Sequence, residues 1–339
     1  MSRPNNRDAE RQEGMDVSSE AAAIDTTMSV LHAHFDKQPE MRCLLVVDPA
    51  QRDLPSEEGS VFSELTRAVV TIAHDAYPDE HQPYLVELDL SSSAGVALLR
   101  ESVRLAFEDR RPASMAKGLG QRVGGWLASS ASPDKVAEHW SRQVLQYDER
   151  GRLCALRFYD TRALGLIWPV LTERQQQALL GPVKVWHALD ACAKPRAYGR
   201  DAESSQAFSL AKAQWPGVHR HGLVNRAIAL HALAAGRQPI PAEVAAAVAA
   251  AARAEQYGLH DRDDLVAFIG HALDWHPWFD RHPEVAKVLQ QCSPDDFYTA
   301  AIGHLQPGEI DEIRRGGWYD ERASSSIESR RPMTDTRHE

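Results

Sequence analysis

The sequence predicts an α+β N-terminal domain, a small mixed sheet with several helices, followed by an all-α C-terminal domain. Three observations carry this. Strand-like and helix-like apolar patterns interleave up to about residue 190. Beyond about 195 the patterns are nearly all helical and hold most of the alanine. Between the two lies a polar stretch containing Pro195 and Gly199. The division is 25–190 for the first domain, 191–204 for a linker and 205–318 for the second. Polar segments at 1–24 and 319–339 are expected to be disordered.

In the first domain, "CLLVVD" (43–48) is a short apolar run, as a well-buried strand would be. Phe62, Leu65, Val69 and Ile72 then recur at helical spacing. "YLVELDL" (84–90) alternates, with Glu87 and Asp89 on the polar side, and predicts a half-buried strand. Leu99, Val103 and Phe107 give a helix. "GLGQRVGGWLASSASP" (118–133) reads as a flexible Gly/Ser-rich segment around a brief strand, "GWLASSA". Ser132 and Pro133 then form a helix start, with Val136, Trp140 and Val144 as its apolar stripe. "RLCALRFY" (152–159) is the clearest strand, with Arg157 and Tyr159 on the face opposite Phe158. Thr172 to Gln175 is a capping box, Gly181 and Pro182 a stop, and "VKVWHAL" (183–189) a last strand. In the second domain, helices are expected around 219–235, 242–256, 262–275, 283–291 and 294–305. Pro241, Gly258, Asp261 and "SPDD" (293–296) mark their ends.

Composition narrows the function. The 339 residues carry a formal net charge of −10, which argues against general nucleic-acid binding. Cys43, Cys154, Cys192 and Cys292 are far apart and suit reduced thiols rather than a disulfide framework. The charged opening residues do not resemble a signal peptide, and no apolar run has the length of a membrane span. These readings predict a cytoplasmic, soluble protein.

Chemical motifs are scarce. The glycines at 118, 120, 124 and 125 do not have dinucleotide-loop or P-loop spacing. "HALDWHPWFDRH" (271–282) gathers His271, Asp274, His276, Asp280 and His282, residue types that bind metals or move protons. A metal-dependent hydrolase is one reading of it. The blander one is a polar helix end, with Trp275, Trp278 and Phe279 packing beneath or forming a partner-binding patch. His219, His221 and His231 lie in an Ala/Leu context and read as structural. No cofactor, metal set or catalytic residue is assigned.

"RFYDTR" (157–162) joins the clearest strand to a helix. Phe158 reads as core and Asp160 as a helix cap, with Arg157 or Arg162 available to pair with it. Arg157, Tyr159 and Arg162 either brace this corner or face a partner. The stretch "LRFYDTRALGLIWPVLTERQQQALLGPVKVW" (156–186) resembles the core of domain-of-unknown-function family 4123. The family pattern is a strand ending in RFYD, a following Arg, two helices ending in Gly-Pro, and a strand with Trp. Here these are Arg157, Phe158, Tyr159, Asp160, Arg162, Gly181, Pro182 and Trp186. The resemblance extends over 41–190 and departs at 124–131, where "GGWLASSA" stands for Gly-Trp-Gly and apolar residues. It implies a non-catalytic adaptor, or chaperone, of bacterial type VI secretion. Its partners would be a secreted effector as cargo and the spike protein of the type VI tube. A toxin-neutralising immunity protein is the other binding function considered.

Overall fold

The computed structural model describes residues 6–320, apart from 51, 58–59, 64, 76, 200–206 and 292–295. The chain divides into two compact units. One holds the residues up to His221 with 236–238; the other holds 222–235 and the residues from 239 onward.

The first unit opens with helix α1 (Asn6–Asp36), strand β1 (Arg42–Val47) and the two-residue strand β2 (Ala68–Val69). Strand β3 (Tyr84–Leu88) leads into helices α2 (Ser93–Arg110) and α3 (Pro112–Ala116). Strand β4 (Val123–Ser129), helix α4 (Pro133–Gln143) and a hairpin of β5 (Leu145–Tyr147) and β6 (Leu153–Ala155) come next. Helices α5 (Thr161–Ile167) and α6 (Glu173–Leu180), strands β7 (Val183–Leu189) and β8 (Pro195–Gly199) and helix α7 (Trp215–His219) complete it.

Six strands form one sheet in the order β2-β3-β1-β4-β7-β8. The α+β class is as the sequence predicts, but the sheet is antiparallel throughout rather than mixed. The crossover through α2 does leave β3 and β4 running the same way. Strand β1 lies between them and opposes both, so no parallel pair forms.

Helices cover both faces. Leu44, Val46, Leu85, Leu127 and Trp186 face α4, α5 and α6, meeting Trp140, Leu164 and Leu179. Cys43, Leu45, Val47, Val86 and Trp126 face α1 and α2, meeting Leu31, Phe35, Leu99 and Val103. Strand β3 is therefore buried on both sides, with only Glu87 exposed, and is not the half-buried strand its alternation suggests.

Four further expectations give way. Residues 6–24, assigned to a disordered N-terminus, belong to α1. Phe62 and Ile72 are buried, but not on a helix: the Gln82 side chain accepts a hydrogen bond from the Ile72 N–H at 2.6 Å and holds a loop there. The 118–122 segment is pinned, not flexible. Gln121 donates to the Asp109 carbonyl at 2.9 Å, and buried Arg122 pairs with buried Asp109 at 2.8 Å. Part of the expected linker, 195–199, is strand β8, anchored by buried Tyr198, whose ring lies 5.0 Å from that of Trp168.

The second unit is made of helices α8 (His221–Ala235), α9 (Pro241–Gln256), α10 (Arg262–Asp274), α11 (Pro283–Gln291), α12 (Tyr298–Ile302) and α13 (Pro307–Arg315). Helix α13 has no counterpart in the sequence reading. Asp261 caps α10 as expected, accepting from the N–H groups of Asp263 and Asp264. Most of the "SPDD" signature, the tail from 321 onward, and Cys292 lie outside the described residues. The helices close over Phe268, Phe279 and Tyr298.

Two glycines test this packing from opposite sides. A Cβ on Gly124 would lie 2.4 Å from the Tyr159 carbonyl oxygen, whereas one on Gly270 in α10 meets nothing. Gly124→Ala is expected to cost at least about 2 kcal/mol in urea unfolding, and Gly270→Ala to add about 0.5–1 kcal/mol. A second test concerns α1. His34 on this helix and His187 on β7 have ring centroids 4.5 Å apart. Burial, reinforced by His34, pushes His187 down to about 4. Burial, then Lys184 and Lys37, lowers His34 as well. A histidine depressed in the folded state leaves the unfolded chain binding the extra proton. The contribution of this pair to stability is therefore expected to be full above pH 6.5 and to be lost from there to about 4, giving a flatter thermal-unfolding profile over that range for His187→Phe.

Candidate functional site

The RFYD stretch is a corner, not a strand. Pairing ends at Ala155, and the Asp160 N–H donates to the Arg157 carbonyl at 3.1 Å in a turn. Because the chain turns rather than alternates, Phe158 and Tyr159 are both buried. Phe158 meets Trp140 edge-on at 5.3 Å and Trp186 at 6.4 Å. The Tyr159 hydroxyl meets that of Tyr77 at 2.8 Å. The core role of Phe158 holds. Tyr159 has no surface to offer a partner.

The corner's polar groups form two ion pairs. Asp160 caps α5 by accepting from the Arg162 N–H at 2.9 Å, and takes the Arg162 guanidinium on both oxygens. Burial alone would raise this carboxyl, but Arg162, with Arg157 behind it, outweighs burial and holds it at about 2. Arg157 instead reaches Asp48 at the end of β1, 2.5 Å away. Asp48 is 2 % exposed, and burial raises its carboxyl while Arg157 opposes the rise. A third arginine, Arg110 at the end of α2, is buried without a carboxylate bond. It donates to the Thr161 hydroxyl at 2.8 Å and to the Leu189 carbonyl at 2.9 Å, and burial lowers it to about 10. Five segments thus converge: the end of β1, the loop at Tyr77, the end of α2, the start of α5 and the end of β7.

Beneath the corner, β4 is bulged. Val46 pairs with Gly125 and Val47 with Val123, so Gly124 is the extra residue. Its carbonyl, released from the ladder, accepts the Trp186 indole N–H at 2.8 Å. Gly125 has φ +108°, and a Cβ there would lie 2.3 Å from the His187 carbonyl oxygen. Gly181 ends α6 at φ +55°, and Pro182 turns the chain into β7, its carbonyl accepting from Ser129 Oγ at 2.9 Å. Of the five residues taken as structural, Phe158 and Asp160 lie in the corner and Trp186 packs on Phe158, while Gly181 and Pro182 turn α6 into β7 beside Ser129, at the other end of β4. Sequence reasoning missed Asp48, Tyr77, Arg110 and Gly124, which lie 34 or more residues away in the chain.

The 271–282 stretch does not assemble a metal set. His271 Nδ1 meets the Tyr298 hydroxyl at 2.6 Å, and burial lowers this histidine to about 4. Asp274 bonds His231 at 2.6 Å, and Asp280 takes Arg253 and Tyr257. His276 Nδ1 accepts the Trp278 N–H at 3.1 Å, and His282 faces Glu312 at 3.7 Å. Phe279 is fully buried. Trp275 stacks on His271 at 3.9 Å, and the guanidinium groups of Arg253 and Arg281 lie over the Trp278 ring at 4.4 and 4.1 Å. Both Trp rings are half-buried. Among the described residues one group does bring three ligand-capable side chains together, Asp148, Glu149 and His219. Asp148 is already committed to the β5–β6 turn, accepting from the N–H groups of Arg150 and Arg152 and from the Arg152 guanidinium.

Residues 45–178 match the family model described as "Domain of unknown function (DUF4123)". The match spans β1 to α6, contains the whole RFYD corner, and bears out the resemblance read from residues 156–186. No curated protein and no solved structure matches the chain. Among the described residues no helix is long and apolar enough to cross a membrane.

The corner makes a stability prediction. Arg157→Ala leaves Asp48 buried without its cation. Breaking a fully buried pair costs roughly 3–5 kcal/mol. The Arg157 side chain is 30 % exposed, so water reaches the pair, and the expected loss is about 2–3 kcal/mol. Combining it with Asp48→Asn removes the stranded charge and is expected to recover most of that loss, read as urea midpoints of the single and double variants.

Proposed function

We propose that this chain is a non-catalytic adaptor of type VI secretion, a chaperone that binds one toxic effector and loads it onto the spike protein. The observation that carries the reading is the family match over residues 45–178, because proteins of that family are associated with effector adaptors. The polar corner supports it from another side. Its arginines and carboxylates are spent on each other and on backbone groups, an arrangement suited to holding a conformation. The division into two compact units also suits an adaptor, which has two proteins to hold. In this reading the protein works in the cytoplasm, where it covers apolar segments of the cargo that would otherwise aggregate.

Co-expression of the full chain with candidate effectors and spike proteins, followed by affinity purification and mass spectrometry, tests the reading. One effector and one spike protein are expected to co-purify. A strain lacking the chain is expected to fire its tubes normally while that effector falls in abundance or delivery. Normal delivery of every effector in that strain would overturn the proposal.

A further inference from the structure

The first unit leaves one long sheet edge open. At the other edge β2 is only two residues long, too short to template a partner. Strand β8 pairs with β7 over five consecutive positions, from Leu189–Pro195 to Val185–Gly199, without a bulge. Among the described residues its outer side has no neighbour in the sheet. Pro195, Arg196, Ala197 and Gly199 are all exposed, and only Tyr198 is buried.

The direction of the free backbone groups follows from the register. At the β7–β8 turn the Asp190 N–H donates to the Lys194 carbonyl at 2.8 Å. Pro195, opposite Leu189, has no N–H to give. In an antiparallel ladder bonded and non-bonded pairs alternate. The bonded pairs are therefore Ala188–Arg196 and Trp186–Tyr198. The N–H and C=O groups of Ala197 and Gly199, and the Pro195 carbonyl, point away from β7. Proteins usually blunt such an edge with a bulge, proline, charged side chains or a covering segment. The charges here, Lys194 and Arg196, are both cationic, so they oppose a basic strand and not an acidic one. Here Pro195 stands only at the first position, and Ala197 and Gly199 present no bulk.

The charge around this edge runs against that of the chain. Lys184, Lys194 and Arg196 are exposed along β7 and β8. Among the described residues the neighbouring acid is Asp190, whose carboxylate is held by the N–H groups of Cys192 and Lys194. A surplus of cations on this edge of a chain with net charge −10 selects for an acidic partner.

We propose that β8 is a docking edge for an extended acidic segment of a partner protein, which adds to the sheet as a seventh strand. The Ala197 and Gly199 backbone groups supply the ladder, and Lys184, Lys194 and Arg196 favour carboxylates beside it. The inference is independent of the adaptor reading and needs no particular pathway.

The probe is an acidic peptide of about ten residues, alternating valine and threonine between pairs of glutamates, added to the full chain. Binding is followed by fluorescence anisotropy and by hydrogen exchange over 195–199. The Ala197 and Gly199 amides are expected to become protected on binding. A copy of the peptide N-methylated at alternate residues is expected to bind at least about tenfold more weakly, with no change to the protein at all. Ala197→Pro, which removes an outward N–H and leaves the β7 ladder its donors, is expected to act likewise. Arg196→Glu keeps the backbone and is expected to weaken the acidic peptide and favour its lysine counterpart. Absence of binding, equal binding of the N-methylated peptide, or binding without protection at Ala197 and Gly199 would each overturn the proposal. So would a dimer of the chain that Ala197→Pro converts to monomer, because the edge would then belong to a second copy.

Discussion

A side chain that is absent, at Gly124, is what allows the layers of the first unit to meet. The bulge in β4 frees the Gly124 carbonyl, and the Trp186 indole takes it. That bond fixes Trp186 against Trp140, 4.8 Å between rings, and both rings against Phe158. Phe158 is flanked by Arg157 and Tyr159, so its burial decides where their groups go. The Tyr159 carbonyl then lies over the Cα of Gly124, in space that any Cβ would occupy. The strand, the aromatic cluster and the charged corner thus share one contact. None can shift while the other two stay in place.

The ion pairs around this contact define positions more than they supply stability. Buried charges lose hydration, and a pair often does no better than apolar residues of the same volume. Each carboxylate here, however, also accepts backbone N–H groups: Asp48 from Ala50, Asp109 from Arg122, Asp160 from Arg162. Such a carboxylate sets the local turn, and its arginine then ties that turn to a distant element. Asp48 with Arg157 links the end of β1 to the corner, and Asp109 with Arg122 links α2 to β4. In the second unit Asp264 does a similar job without a cation, accepting the Tyr298 and Thr299 N–H groups at the start of α12. The acidic residues that looked like metal ligands in the sequence are spent on side chains instead, Asp274 on His231 and Asp280 on Arg253 and Tyr257. Asp280, 1 % exposed and bonded to Arg253, is the clearest case.

What could be read from the sequence was local. The caps at Ser132, Asp160, Thr172 and Asp261, the stop at Gly181 and the strand at 183–189 rest on short-range chemistry, and they hold, as does the strand read at 43–48, which runs from Arg42 to Val47. Long-range pairing left little trace. Nothing near "CLLVVD" signals that its Asp meets an arginine 109 residues later. Nothing in "YLVELDL" signals a second covering layer, because a strand with one charged residue fits either environment. The spacing of Phe62, Leu65, Val69 and Ile72 fits a helix, yet the Gln82 side chain supplies the bond that a helix would have made. "GLGQRVGG" failed for a related reason. Glycine marks both loose loops and the tightest packing, and only the neighbours tell them apart.

This distinction changes where interaction should be sought. A sequence signature invites the assumption that its residues touch the partner. Tyr159 has no exposed surface, Arg157 and Arg162 are committed to Asp48 and Asp160, and Phe279 is sealed in the second unit. Within the first unit, burying the corner's groups fixes the sheet, and a fixed sheet has a fixed edge. Backbone groups on a rigid edge lose little freedom when a strand adds to them, so more of the ladder's free energy appears as affinity. The corner can therefore serve recognition without contacting a partner, by holding β7 between Trp186 and Leu189, the side on which β8 is built.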